Sequence, residues 1–572
     1  MTLARALDAD QRADALGHLG GGELDVLVVG GGIVGVGAAL DAVTRGLKVG
    51  LVEQRDLASG TSSRSSKLVH GGLRYLEMFD FALVKEALQE RGLLLTRLAP
   101  HLVRPVPFLY PLEHAWQRPY VGAGVALYDA MAMAGKYDMG VPKHKHIFRK
   151  QLARMAPDIR TDKLHGAIRY YDCQVDDARL VMTIARTAAN NGAHVATRTK
   201  VTGFLREGQK VVGVTARDLE GQRDLEIRAQ VVINAAGVWT DEVQDLLGGQ
   251  AQLDVDASKG IHLVVPKDRI RSECGFITKT EKSVLFVIPW DQFWIIGTTD
   301  TAWDFDLAHP AASKTDIDYL LAHVNRLLKD PLDHRDVVGV WAGLRPLLKP
   351  TRREGEMGET TRLSREHMVA RPVPGLVLVA GGKLTTYRVM AKDAVDHAIR
   401  DFDATPASIT DRVPLMGAWG HETRTNQRVS ISRSSGLDIG VVDHLLGRYG
   451  GLVDEVLALI EARPELALGE PLAGADHYLR AEVLYAVTHE GARHLDDVLA
   501  RRTRVSIETF DRGIAAARPA AVLMAGALGW NDAQLDDEVD HYLRRVEAER
   551  QSQLMPSDQE ADEARVKAPD IV

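Results

Sequence analysis

Residues 25–53 read DVLVVGGGIVGVGAALDAVTRGLKVGLVE, and three kinds of segment follow one another there. The run LDVLVV (24–29) is short, apolar and rich in Val, as a strand buried on both faces requires. Glycines follow, then AALDAVTRG at helical spacing, then KVGLVE as a second strand. The pattern is a βαβ unit of about 30 residues. Inside it, Gly30, Gly32 and Gly35 have the spacing G-x-G-x-x-G. The first glycine permits a tight turn, the second lets backbone approach a pyrophosphate, and the third lets helix and strand pack closely. The helix start adds unpaired N–H groups and a positive dipole end. Glu53 ends the second strand, 18 residues after Gly35, where its carboxylate can accept hydrogen bonds from ribose hydroxyls. An acid at that place argues against a 2′-phosphate. Strand, turn, helix and acid together predict a dinucleotide site. The turn alone leaves FAD and NAD both open.

Apolar strands of the same kind recur at AQVVINAAG (229–237) and GLVLVAGG (375–382), each before a helical pattern. One nucleotide-binding domain is therefore expected from separated segments, 23–79, 166–254 and 371–405. Residues 80–165 and 255–370 then form a second, substrate domain. Its stretches GIHLVVP and SVLFVIPWDQFWIIGTTD mix Val, Ile, Phe and Trp with turn residues, as antiparallel strands do. From 425 to 550 the chain is Leu, Ala, Glu, Arg and Asp at helical spacing, which predicts a separate helical domain. Residues 1–22 read as a charged leader ending in Gly-Gly-Gly, and 551–572 as a disordered tail. The expected fold class is thus an α/β Rossmann-like domain, discontinuous in sequence. It carries an inserted α+β domain with an antiparallel sheet, and a C-terminal all-α domain.

The 572 residues are 45% hydrophobic and 26% charged, as in a folded globular chain. A net charge of −8 argues against general nucleic-acid binding, which leaves a basic footprint. Two cysteines, Cys173 and Cys274, exclude a disulfide framework and a Cys-based zinc site, and no metal is expected. They fit a reduced, cytoplasmic setting. No signal-peptide core stands at the N-terminus, and no apolar run reaches the roughly 18 residues of a spanning helix. A membrane contact would be peripheral. The segment for it is 116–150, where Arg118, Lys136, Lys143, Lys145, Arg149 and Lys150 face only Asp129 and Asp138, six cations to two acids. With Trp116, Tyr120 and Tyr128, it suits an anionic lipid surface; a solvated basic face is the equal alternative.

After Glu53 the chain reads QRDLASGTSSRSSKLVHGGLRYLE (54–77), some twenty small, polar and cationic residues where a nicotinamide domain moves to its crossover helix. Serines and glycines there can bring hydroxyl and backbone donors to a large flat ligand. Arg74 can hold an anion beyond it.

DVLVVGGGIVGVGAALDA, SSRSSKLVHGGLRYLE, YYDCQVDDARLV, KGIHLVVP, FWIIGTTD, AGLRPL, GGKLTTYR and LDDVLARRTR stand in this order along the chain. Together they resemble the FAD-dependent glycerol-3-phosphate dehydrogenases of aerobic respiration. The resemblance implies oxidation of sn-glycerol 3-phosphate to dihydroxyacetone phosphate, with hydride transfer to flavin N5 and electrons passed to membrane quinone. It implies attachment to the inner face of the cell membrane, and leaves monomer and homodimer both open. Substrate binding falls by resemblance to Arg74, Tyr75, His262, Arg345 and, on looser spacing, Arg365. The catalytic set is His262, Arg345 and Lys383. His262 is the candidate general base because its ordinary pKa lies nearest neutrality. Arg345 is the rival, able to stabilise an alkoxide without taking the proton. Lys383, at a helix start, can stabilise a reduced flavin. FAD is expected against Gly30, Gly31, Gly32, Gly35, Glu53 and Gln54, then Thr61, Ser62, Ser63, Ser66, Lys67, Leu68, His70, Gly71 and Gly72. Ala236 and Gly237, and Gly382 to Thr385 with Lys383 and Leu384, complete that set. Asp176 and Asp177 read as helix caps, Cys173 as a buried thiol, and Trp290, Trp294 and Trp341 as core. LDDVLARRTR reads as a packing helix.

The nearest rival is an oxidase passing electrons to oxygen and forming peroxide. Such relatives carry a long insertion, and only 20 residues separate Arg345 from Arg365, with 18 more to Lys383. A nicotinamide-dependent dehydrogenase and a non-catalytic flavoprotein are the remaining alternatives.

Overall fold

The computed structural model describes residues 5–73, 80–134, 140–248, 254–280, 284–348, 367–404, 406–568 and 571. Arg74, Tyr75 and Arg365 therefore lie outside the described residues.

The βαβ unit forms as its sequence predicts. β1 (Glu23–Val29) and β2 (Val49–Val52) run parallel with Val26 opposite Val49, and α2 (Ile33–Thr44) crosses between them. β1 also pairs in parallel with Arg223–Asn234, and that strand with Leu376–Gly381. Strands distant in sequence thus share one sheet of eight strands among the described residues. Their central residues are almost wholly buried, consistent with helices on a face of the sheet. α2 packs between the helices Asp177–Asn190 and Tyr387–Ala398. At Gly37 a methyl group would lie 3.0 Å from the Tyr387 ring, so the small residue sets that helix spacing.

A second, ten-stranded mixed sheet carries the other domain. Its centre of interest is the antiparallel pair Val255–Pro266 and Gly339–Leu348, in unbroken register from Val255–Leu348 to Val264–Gly339. Gly166–Gln174 also belongs to this sheet, correcting its expected place in the nucleotide domain. It pairs with Arg104–Leu112 along nine residues, from Leu112–Gly166 to Arg104–Gln174. Alternating apolar residues identify a strand but not the distant strand it joins. His367–Ala370 moves the other way, pairing with Leu376–Gly381 ahead of the expected boundary at 371.

The chain's two ends differ from expectation. The leader contains a docked helix, α1 (Ala9–Gly21), capped by Asp8 through the Gln11 N–H. It lies on the first sheet, where buried Arg12 pairs with Asp218 at 2.6 Å. The tail forms a helix at Asp558–Arg565, with Ala561 wholly buried. Asp558 accepts from Lys259 Nζ at 2.5 Å, and that ammonium is fully enclosed. Low apolar content suggested disorder; the segment is held instead by polar contacts, among them Thr315 Oγ1 to the Pro556 carbonyl at 2.6 Å and Arg198 to the Ile571 carbonyl at 2.7 Å, and by its small-residue face.

From His421 onward the chain is helical around its own apolar core, apart from the short hairpin Pro471–Leu472 and Ala475–Leu479. LDDVLARRTR docks it onto the rest. Arg502 donates to both carboxylate oxygens of Asp56 at 2.5 and 2.7 Å, and Arg501 to the same group at 2.5 Å. No helix among the described residues is long and apolar enough to cross a membrane.

Candidate active site

The nucleotide cleft opens at the carboxyl ends of β1, β2 and their parallel neighbours, where open α/β sheets bind ligands. Gly30 adopts φ +111°, and a methyl group there would press on the Ala235 carbonyl at 2.7 Å. At Gly35 a methyl group would collide with the Gly30 carbonyl oxygen. Only glycine fits either place. Glu53, at the end of β2, accepts from the Gly31 N–H at 2.6 Å and the Arg55 N–H at 2.7 Å. Burial raises its pKa, and those two N–H groups oppose the rise. Ser62 Oγ takes the Ile33 N–H at the start of α2, at 2.9 Å.

Gly30, Gly32, Glu53, Gln54, Thr61, Ser62, Ala236, Gly237, Gly382, Lys383 and Leu384 line one open cleft. The glycine cradle, the acid at the end of β2 and the cleft's run from Glu53 to Lys383 fit FAD. Trp239 and Pro346 also line it and went unread in the sequence. The signal for Trp239 was its place just after a parallel strand's end.

The remaining loop residues have other partners. Ser63 Oγ bonds the Gly60 carbonyl at 3.4 Å, Leu68 and Val69 pair with Gln174 and Cys173 as a short strand, and Gly71 N–H meets Tyr128 OH at 2.9 Å. His70 N–H meets Thr385 Oγ1 at 3.1 Å, which joins this loop to the turn holding Lys383. Gly72 adopts φ +73° beside them. Lys67 is a correction to its expected place against the cofactor. Its ammonium is fully buried and committed to Asp177 at 2.8 Å and the Ser63 carbonyl at 3.2 Å.

The second sheet meets this cleft through Thr61, whose hydroxyl donates to the Leu344 carbonyl at 2.6 Å. His262 and Arg345 sit on the paired strands Val255–Pro266 and Gly339–Leu348. Trp341 is opposite His262, Gly343 opposite Gly260, and Arg345 opposite Ser258. Alternation places all six on one face; the Arg345 guanidinium and Thr298 Oγ1 lie over Gly260, and the Arg64 backbone lies over Gly343. The His262 ring stacks on Trp341, with centroids 4.8 Å apart and planes 11° from parallel. Its Nε2 lies 2.7 Å from Ser66 Oγ, and its Nδ1 is buried with no hydrogen-bond partner among the described residues. Burial, then the Arg345 and Lys67 charges, hold its pKa well below the ordinary histidine value. The ring is therefore neutral near pH 7.

Arg345 is fixed on both sides. Nη1 faces Ser258 Oγ and Asp300, each at 3.4 Å, and Nη2 donates to Thr298 Oγ1 and the Thr299 carbonyl at 3.1 Å. Lys383 follows Gly381 and Gly382, both at positive φ, and precedes the short turn Leu384–Thr386 that enters the helix Tyr387–Ala398.

Asp176 caps its helix through the Arg179 N–H, whereas Asp177 serves Ser65, Lys67 and Arg504. Cys173 is buried, its thiol pushed up to about 12 by burial. Trp290, Trp294 and Trp341 are buried too, Trp341 against His262 itself.

Residues 25–395 match the family described as FAD dependent oxidoreductase, and 408–535 the C-terminal domain of alpha-glycerophosphate oxidase. The chain is 54% identical over 569 residues to glycerol-3-phosphate dehydrogenase 2 of Mycobacterium tuberculosis, covering 99% of this chain and 95% of that one. It is 35% identical over 538 residues to the human mitochondrial glycerol-3-phosphate dehydrogenase, covering 91% and 72%. The Bacillus halodurans glycerol-3-phosphate dehydrogenase, solved with FAD, superposes with a TM-score of 0.77 at 29% identity, covering 96% and 99%. A glycine-built FAD cleft opening beside a buried histidine and a fixed arginine, with matches across both domains, makes this chain a member of the FAD-dependent glycerol-3-phosphate dehydrogenase family.

Proposed function

We propose that the chain oxidises sn-glycerol 3-phosphate to dihydroxyacetone phosphate and delivers the electrons to a membrane quinone. The observation that carries this reading is a glycine-built cleft beside one strand-pair face that presents both a buried, neutral imidazole and a fixed guanidinium. Bound FAD supplies the two-electron acceptor for the carbinol hydrogen. The protein must place the substrate and take its hydroxyl proton. When His262 Nε2–H donates to Ser66 Oγ, the buried Nδ1 keeps a bare lone pair, the form a general base needs. Arg345 offers a positive charge to the oxygen as that proton leaves. Arg74, Tyr75 and Arg365 complete the phosphate site in this reading, since arginine forks suit phosphate oxygens.

Anaerobic addition of glycerol 3-phosphate should bleach the flavin, and plain glycerol should not. A His262→Ala variant should lose most turnover and the acid limb of its pH profile. Unchanged kcat and profile would exclude the histidine. Oxygen-dependent peroxide at the rate of quinone-analogue reduction would favour the oxidase.

The same reading places the helix Gln117–Met133 on anionic lipid. Trp116 and Tyr120 are each 62% exposed and Leu127 and Met133 also face outward, with only alanines and Pro119 between them on that face. Phe148 and the exposed Lys143, Lys145, Arg149 and Lys150 lie on the adjoining segment. An apolar strip beside cations suits an anionic interface. Co-sedimentation with anionic vesicles should fall when Trp116, Tyr120 and Leu127 are changed to Ser; retention at the wild-type level would remove the strip from the reading.

A further inference from the structure

The loop Thr61–Gly72 holds a cation that the reaction as described does not use. Lys67 is fully enclosed, and its ammonium lies 4.9 Å from the Trp341 ring centroid. That same indole stacks on His262 at 4.8 Å. The ammonium is thus within about 10 Å of the imidazole, with only an aromatic ring system along the way. Behind Lys67 stands Asp177, bonded at 2.8 Å, and behind Asp177 stands Arg504 of the C-terminal domain, paired with it at 2.5 Å. Arg504 also donates to the Ser63 carbonyl, the acceptor Lys67 itself uses. Ser66, next to Lys67 in the chain, makes the one hydrogen bond to the His262 ring among the described residues.

We propose that Lys67 is a positioning residue for His262: its ammonium, the Trp341 indole and the imidazole form one packed unit, which the C-terminal domain locks through Arg504 and Asp177. The inference rests on the reading of His262 as the proton acceptor. It gives the RRTR segment a task beyond packing, since the domain reaches the reacting histidine through two ion pairs and one aromatic ring. A cation on a desolvated aromatic face is favourable and fixes the plane of the ring. The fixed plane in turn fixes the imidazole stacked on it.

The charges that face His262 are Arg345 from the strand Gly339–Leu348 and Lys67 from the loop, with Asp300 and Asp177 as their counter-charges. On its own strand, Lys259 is committed elsewhere, to Asp316 and Asp558. Both nearby cations favour the neutral ring. Burial and Arg504 pull the Lys67 pKa down, and Asp177 and Asp176 oppose this. Its 2.8 Å bond to a carboxylate is the geometry of a charged pair.

The test uses the FAD-loaded full chain and follows kcat/KM for glycerol 3-phosphate against pH. In Lys67→Met, loss of the cation raises the pH at which His262 loses its proton, so the acid limb moves up. A unit charge at about 10 Å and an effective dielectric near 20 gives a shift of about one pH unit. Lys67→Arg keeps the charge and should return the limb to its wild-type place. Asp177→Asn strips the counter-charge and should move the limb down; it serves where Lys67→Met does not retain flavin. A limb that stays within 0.2 units (roughly, on the scale of the same estimate) in Lys67→Met, or rises in Asp177→Asn, overturns the proposal. His262→Ala separates the two readings: if it keeps the wild-type limb, His262 is not the base, whatever Lys67 does.

Discussion

Gly260→Ala tests whether substrate binds on the face between His262 and Arg345. A methyl group on Gly260 would stand 2.5 Å from Arg345 Nη2 and 3.0 Å from its Cζ, and would also meet Thr298 Oγ1. Carbon–nitrogen contact needs roughly 3.5 Å, so the guanidinium must retreat by about 1 Å. The guanidinium is the far end of a long side chain, and it can shift by giving up its bonds to Thr298 and Thr299. The fold should therefore lose only about 1 kcal/mol, at the low end of overpacking costs. Function is less forgiving, because misplacing a reacting group by about 1 Å costs on the order of 100-fold, or about 2.7 kcal/mol of barrier. Steady-state kinetics with a dye acceptor should show kcat/KM for glycerol 3-phosphate down by about that factor. Flavin content per chain should stay at the wild-type value. Gly343→Ala is the contrast: its methyl group would press on the Arg64 backbone carbonyl and lie 2.9 Å from Arg64 Cβ. Backbone cannot swing aside, so that variant should lose stability as well as activity. If Gly260→Ala retains kcat/KM within threefold of wild type, the substrate does not bind on this face and the site has been misplaced.

Lys383→Met should lower the two-electron flavin potential by on the order of 30 mV, about 1.4 kcal/mol, measured by equilibration with reference dyes; no fall would detach Lys383 from the flavin. Arg502→Gln leaves Asp56 with Arg501 alone in a buried place, and breaking such a pair costs about 3–5 kcal/mol. Thermal unfolding should show it, with early loss of the C-terminal domain's docking. Glu482 is buried, and although burial raises its pKa, His444 and Arg448 win and hold it at about 2. A depressed carboxyl contributes stability above its unfolded value near 4.5 and loses it as pH falls towards 2. Denaturant unfolding from pH 5 to 3 should show that slope, and Glu482→Gln should flatten it.

The sequence made legible what is local. The turn at 30–35, the strands around it and Glu53 lie within 30 residues, and each step is set by its neighbours. What spans the chain was not legible. Gly166–Gln174 reads as a strand, but nothing in its alternation says that Arg104–Leu112 is its partner. Asp558 reads as one acid in a polar tail until Lys259, 299 residues away, is found against it. The resemblance named His262, Arg345 and Lys383, and the structure puts His262 and Arg345 on one face of a strand pair, with Lys383 on the adjoining cleft. It could not show that Ser66 and Trp341 hold the histidine, because those contacts join positions far apart in the chain.

The polar loop after Glu53 shows why composition misleads about purpose. Its serines, lysine and glycines read as a ring of donors waiting for a ligand. In the fold its first part, Gln54, Arg55 and Ser59 to Ser62, lines the cleft. Beyond it, Ser65 and Lys67 go to Asp177, Ser66 to His262, His70 to Thr385 and Gly71 to Tyr128. Those partners belong to the helix Asp177–Asn190, the second sheet, the Lys383 turn and the helix Gln117–Met133. A segment that must bond four separate elements while buried has to be polar, because each backbone or side-chain group left unpaired there costs about 1–3 kcal/mol. The same wiring ties the cofactor cleft, the histidine and the outward-facing helix to one stretch of chain. A change at Lys67 or Ser66 should therefore be felt at the reacting centre before it is felt in global stability.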